Sequence, residues 1–447
     1  MDREINMTKQ QERIYRTFLY LLLFAAVAAL SVIVYFAYWD KIPSTIKIRA
    51  GVEQELDFKV PVSGEIYRVD DDAAQAASLP DALDQRQTKA ESVSDSVKSI
   101  HVDFTHTVKV KANELDTYQM NLKLFGVLPY KNVDIEVIQD KLLIPSGIPI
   151  GIYVKTNGVL VVGIGEFEDG DGRKVSPSKY VLQKGDYILR VNGEEMENKK
   201  QFIRAVEASE GEDLILTIKR NDEVTEVMVK PECNQSQNWK LGIWIRDNAQ
   251  GIGTMTYEDT DGSFGALGHG INDVDTSMLM NLDEGTLYKT EIVGITRGTN
   301  GAPGELTGYI EYDSENVIGE ITENTTAGIF GVCDEEIAEA ACYEPIPIAL
   351  KQEIELGPAQ IICSVTGVPE FYDVEIVEVN LERDNVNRGI VIQVADEKLL
   401  TLTGGIVQGM SGSPIIQNGK LVGAVTHVLV QDSTRGYGIF IEEMLGH

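Results

Sequence analysis

The chain has 447 residues, 39 Lys and Arg against 70 Asp and Glu, and a formal net charge of -31. That balance excludes a binder of nucleic-acid backbone, which needs clustered cations. The length exceeds one ordinary domain, and 43% apolar residues suffice for packed cores.

Arg3, Lys9, Arg13 and Arg16 precede an apolar run over residues 18–38, FLYLLLFAAVAALSVIVYFAY. A bilayer core needs about 20 such residues. The run ends among Tyr35, Tyr38 and Trp39, side chains suited to the interface. The flanking cations then make 1–17 a cytoplasmic tail and 18–39 a transmembrane anchor, with the remainder exported. The alternative is an uncleaved signal segment with no lasting anchoring role, although such segments carry shorter apolar stretches. Residues 40–146 read as a small β domain, with alternating stretches such as STIKIRA, ELDFKV, TYQMNLKLF and NVDIEVI. Within it, residues 70–97 hold Asp, Ala, Ser and Gln but almost no large apolar side chains. They read as a flexible linker, the kind of segment where proteolysis concentrates.

Residues 147–232 form a further unit. KGDYILRVNGEEM has a Gly-Asp turn, a strand and an Asn-Gly turn; a helix follows near 198–208, then two strands joined by Asn221-Asp222. The phrase and its order resemble PDZ domains. The resemblance implies peptide binding by strand addition, with Gly147-Ile148-Pro149-Ile150-Gly151-Ile152 standing where such domains place their carboxylate-binding loop. The alternative is a β unit that only packs against its neighbours. From 233 to 447 the chain is Gly-rich, with short strands and turns at Asp261-Gly262, Asn300-Gly301 and Asn418-Gly419, which suggests an all-β barrel or sandwich. Cys333 and Cys342 are close enough in sequence to pair; Cys233 and Cys363 have no evident partner. No CxxC is present, so no zinc knuckle or redox motif is readable.

Gly409-Met410-Ser411-Gly412-Ser413-Pro414 sits in a bend between two apolar runs. It looks like the Gly-x-Ser-Gly-x-Pro nucleophile loop of chymotrypsin-like peptidases. That makes Ser411 the attacking residue and the N–H groups of Gly409 and Ser411 an oxyanion hole. Ser413 stands where a small packing residue is usual. A plain Gly-Ser-Pro turn is the bland alternative. A serine nucleophile needs a base. Of five histidines, His101 and His106 lie in the first β region and His447 is last. His269 sits between Gly268 and Gly270 at a strand end, where projection into a cleft explains it better than packing. His427, beside Thr426 on a strand, is the weaker candidate. Metal ligation by His269 lacks company at ligand spacing. For the acid, Asp396 ends an apolar strand before Ser411 and is equally readable as a solvated turn residue; Asp273 and Asp275 are rivals, readable also as a solvated or calcium-like loop or as a helix cap ahead of TSMLM.

Together, the membrane segment, the PDZ-like unit, ALGHGINDVDT and GGIVQGMSGSPIIQNGKLVGAVTHV resemble the stage IV sporulation protein B peptidase family of endospore formers. The resemblance implies a mainly β chain with a chymotrypsin-like double β-barrel over 233–447. It implies a serine endopeptidase with His269, Asp396 and Ser411 as triad and Thr426 in support. No cofactor or metal is implied. The implied partners are the chain itself, through autocleavage; a regulatory subunit of a membrane-embedded metalloprotease; and peptide termini, through the PDZ-like unit. The implied setting is the forespore intermembrane space, where cleavage triggers sigma factor processing. The competing reading is a non-catalytic exported adaptor with a PDZ-like groove.

Overall fold

The computed structural model describes residues 9–39, 41–68, 100–333, 343–382 and 385–446. The expected linker (70–97), Cys342 and His447 lie outside them. Two units are present: Met1–Asp140 with Asn380–Glu382, and Lys141–Val379 with Arg383–His447.

In the first unit, Lys9–Trp39 is one helix. Phe18, Tyr20, Leu21 and Phe24 on it are each more than half exposed. Among the described residues no helix is long and apolar enough to cross a membrane. The anchor therefore stays a reading of the whole sequence. Period-two alternation builds a five-stranded sheet in the order Thr45–Arg49, Leu128–Ile138, Thr117–Leu124, Val62–Arg68, Ile100–Asp103. Its inward residues, among them Ile46, Val102, Met120 and Val133, form one core.

The second unit is built on two six-stranded β-barrels. The first runs through Pro149–Ile164, Ile243–Glu258, Ser263–Ala266, Gly328–Cys333, Val317–Thr325 and Leu282–Thr296, which pairs back to Pro149–Ile164. The second closes through Gly357–Cys363, Glu370–Val379, Ile390–Val394, Asp432–Phe440, Lys420–Leu429 and Pro414–Gln417. Closure leaves no open edge in either ring. Ile150, Ile152, Val154, Phe264, Leu287 and Ile329 fill the first barrel. Ile361, Tyr372, Val374, Ile392, Ile415 and Ile439 are buried on strands of the second.

This closure moves the expected domain boundary. The first barrel needs Pro149–Ile164, which the sequence pattern places in the PDZ-like unit. That unit is thus an insertion between two barrel strands. It has its own core of Val159, Ile188, Phe202, Val206, Leu216 and Ile218. Its expected helix is Lys199–Ala208, capped by the Asn198 side chain on the Gln201 N–H. Its expected hairpin turns at Asn221 (φ 49°) and Asp222 (φ 66°), the paired positive φ values that a tight two-residue hairpin requires.

The peptide-binding assignment of Gly147-Ile148-Pro149-Ile150-Gly151-Ile152 is corrected by the same pairings. Ile150, Gly151 and Ile152 pair with Gly253, Ile252 and Gly251 on one side and with Lys289, Tyr288 and Leu287 on the other. Gly147 donates to the Met255 carbonyl (2.9 Å). With both edges used, no row of N–H groups is left for a peptide carboxylate. The open groove of the insertion lies elsewhere. It is a cavity of about 410 Å³ between Phe202, Ile203 and Val206 of the helix and Leu241, Gly242 and Ile243. Ile243–Arg246 pairs with Leu160–Ile164 on one side, and no strand pairs with its other side among the described residues.

Candidate active site

The chain enters the bend from Val407–Gln408, which lies parallel to Gly304–Glu305. Gly409 (φ 97°) and Gly412 (φ 98°) both take left-handed backbone, which glycine adopts without strain. Of the five N–H groups from Gly409 to Ser413, three are bonded: Met410 to Val407 O, Gly412 to Val425 O and Ser413 to Met410 O. Those of Gly409 and Ser411 have no acceptor in hydrogen-bonding geometry among the described residues. Both residues are half-buried, and these two donors are the pair expected to hold a developing oxyanion. Thr254, from the first barrel, steadies the loop. Its N–H donates to Ser411 O (2.9 Å) and its Oγ1 to Gly409 O (2.8 Å). Nothing in the local pattern GIGTMTY marks Thr254 for this role. Ser413 is fully buried, with no hydrogen bond to its Oγ among the described residues, which agrees with a packing residue.

Ser411, His269, His427, Gly409 and Thr426 line one cavity of about 490 Å³. The site is thus assembled from both barrels: His269 follows Ser263–Ala266 of the first, and Ser411 precedes Pro414–Gln417 of the second. The flanking glycines of His269 are sterically required. A Cβ on Gly268 would lie 2.9 Å from Ile439 Cγ2, and one on Gly270 2.4 Å from Thr325 O. His269 Nδ1 lies 3.0 Å from Gly270 O. A carbonyl only accepts, so Nδ1 carries the hydrogen and Nε2 keeps its lone pair. Burial lowers the His269 pKa from the ordinary 6.5, partly offset by the Gly270 carbonyl. The ring is therefore neutral at pH 7, the form a general base needs.

His427 is its neighbour, with ring centroids 4.7 Å apart. The protein around it, the His269 ring and the Arg388 charge hold its pKa down to about 4. Its side chain nevertheless reaches solvent, so the desolvation counts for less than the close packing suggests.

None of the three candidate acids reaches His269. Asp396 caps the helix Glu397–Thr403, its Oδ1 accepting the Leu399 N–H (2.8 Å). It does not line the cavity. Such a cap is worth about 1 kcal/mol. Asp273 accepts the N–H groups of Asp275 (3.0 Å) and Thr276 (2.7 Å) and pairs with Arg246. Asp275 pairs with Arg246 as well (2.8 Å). Among the described residues the Gly270 carbonyl is the one hydrogen-bond partner that orients the imidazole. It can fix the tautomer, but as a neutral group it stabilises an imidazolium less than a carboxylate would.

Thr426 is buried, and its hydroxyl donates to Asn387 O (2.7 Å). Its carbonyl accepts the Ser411 hydroxyl (2.7 Å). The nucleophile thus rests on a backbone carbonyl. Attack requires it to turn from there toward Nε2 of His269.

Residues 237–445 match the family model of the SpoIVB peptidase S55. This part of the chain is a SpoIVB-type serine peptidase domain. The SpoIVB-type domain contains His269, Ser411 and both unpaired N–H groups. Among solved structures, the chain is similar to the PDZ domain of the SdrC-like protein from Listeria monocytogenes. That likeness is 21% identical, covers 20% of this chain and 87% of that chain, and has a TM-score of 0.17. It is also similar to the Rv3671c protease from M. tuberculosis. The active form is 15% identical over 44% of this chain and 72% of that chain, with a TM-score of 0.25. The inactive form is 16% identical over 44% and 81%, with a TM-score of 0.23. These likenesses are too distant to bear on activity. No curated protein matches the chain.

Proposed function

We propose that the chain is a membrane-anchored, exported serine endopeptidase that cleaves itself and then a regulatory subunit of a membrane-embedded metalloprotease, triggering sigma factor processing during sporulation. Ser411 attacks the scissile carbonyl, His269 Nε2 takes its proton and later returns it to the leaving amine, and the Gly409 and Ser411 N–H groups hold the oxyanion. The observation that carries this reading is the pair of unbonded N–H groups beside a serine and a neutral histidine in one cavity. The exposed apolar side chains from Phe18 to Phe24 support the anchor. The unpartnered side of Ile243–Arg246, facing the helix across an apolar groove, supports binding of peptide termini by strand addition.

The test follows the intact mass of the full chain and of Ser411→Ala over time. The wild type is expected to shorten within residues 70–97 while the variant stays whole. Shortening of both would remove Ser411 from the reaction. A folded wild type that stays whole while binding peptide would favour the adaptor reading.

A further inference from the structure

We propose that Asn387 is the positioning residue that locks the base and the nucleophile to each other across the two barrels; this rests on the serine peptidase reading. Asn387 lies in the short turn of helix Val386–Arg388 that leads into the second barrel, held there by its N–H on Asn385 Oδ1 (3.0 Å). Its side-chain Nδ2 donates to two carbonyls, Gly268 O (2.7 Å) and Thr326 O (2.8 Å). Both belong to segments of the first barrel. Because carbonyls only accept, the amide has one workable orientation; flipped, its oxygen would face two oxygens.

The Gly268 carbonyl belongs to the peptide that joins Gly268 to His269. Holding it fixes the plane from which the imidazole projects. On its other side, the Asn387 carbonyl accepts the Thr426 hydroxyl (2.7 Å), and the Thr426 carbonyl accepts the Ser411 hydroxyl (2.7 Å). One residue therefore connects the backbone of the base to the backbone on which the nucleophile rests. Thr426 acquires a double role from this link, since its hydroxyl points to Asn387 while its carbonyl serves Ser411. Asn387 touches neither reacting atom and acts only through Gly268 and Thr426. A misplacement of about 1 Å between catalytic groups is enough to cost two orders of magnitude in rate.

The test uses the full chain and a fluorophosphonate that labels Ser411. The maximal labelling rate, the half-saturating probe concentration, the pH dependence and the thermal midpoint are measured for Asn387→Asp, Asn387→Ala and Thr426→Val. Asn387→Asp keeps the size and removes the donors. It is expected to lower the maximal rate about tenfold or more and to move the acid limb set by His269, with the half-saturating concentration within about threefold. Thr426→Val is expected to fall in the same way, and its combination with Asn387→Asp to be less than additive. If Asn387→Ala does not fold, the other two variants decide. Labelling of Asn387→Asp within about twofold of wild type, at an unchanged thermal midpoint, would overturn the inference alone. A wild type that takes no label would overturn it together with the peptidase reading.

Discussion

His269→Ala is expected to abolish hydrolysis, lowering kcat by about 10⁵-fold or more, while His427→Ala retains at least about a tenth of the wild-type rate. Both rings line the cavity and both are neutral at pH 7 by the direction of their shifts. Protonation state therefore does not separate them. Orientation does. His269 has its Nδ1 fixed by the Gly270 carbonyl and its backbone clamped between two glycines that admit no side chain. His427 has an exposed side chain with no hydrogen bond of its ring among the described residues. A base that must present one nitrogen in one direction is the ring with a fixed tautomer. Steady-state rates of the two variants at pH 7 decide the matter. Equal losses would mean that the two neighbouring rings work as a unit.

Gly412→Ala is expected to unfold the nucleophile loop, destabilising the chain by about 3–5 kcal/mol. The added Cβ would lie 1.9 Å from Thr254 O and 2.6 Å from Leu267 N. Both obstacles are backbone, so neither can rotate away. The residue also sits at φ 98°, a region that side chains strain to occupy. Relief requires the loop to leave the first barrel. That would break the Thr254 N–H bond to Ser411 O and the Thr254 hydroxyl bond to Gly409 O. Denaturant unfolding reads the loss directly. Gly419→Ala is the matched control, because nothing lies within 4 Å of its added Cβ, although its φ of 73° carries its own small strain. A Gly412→Ala midpoint no lower than that control would show that the loop tolerates a shift.

Much of this site is legible in the sequence because its chemistry is compressed into short segments. The loop from Gly409 to Pro414 needs small residues for close backbone approach, and that need is written in the residues themselves. His269 is visible because its flanking glycines set it off in the sequence, although what they serve is close packing against Ile439 and Thr325. The acid is not legible, since a strand-ending Asp reads alike as a triad member and as a solvated turn residue. In DEKLLTL it is a helix cap, with Asp396 on the Leu399 N–H. The peptide-loop assignment fails for a related reason. GIPIGI has the residues of a carboxylate-binding turn, but a run of small and β-branched residues also serves as a barrel strand. The pairing partners that decide between them lie about 100 residues or more away. Thr254 and Asn387 carry no local signature, because their roles exist only once the two barrels meet.

The most direct measurement is the mass of the full chain after reaction with a fluorophosphonate, mapped to a residue. One adduct is expected, on Ser411, absent from Ser411→Ala and nearly absent from His269→Ala. A folded chain that takes no adduct, or takes it on another serine, would contradict the claim that Ser411 and His269 form a working peptidase site.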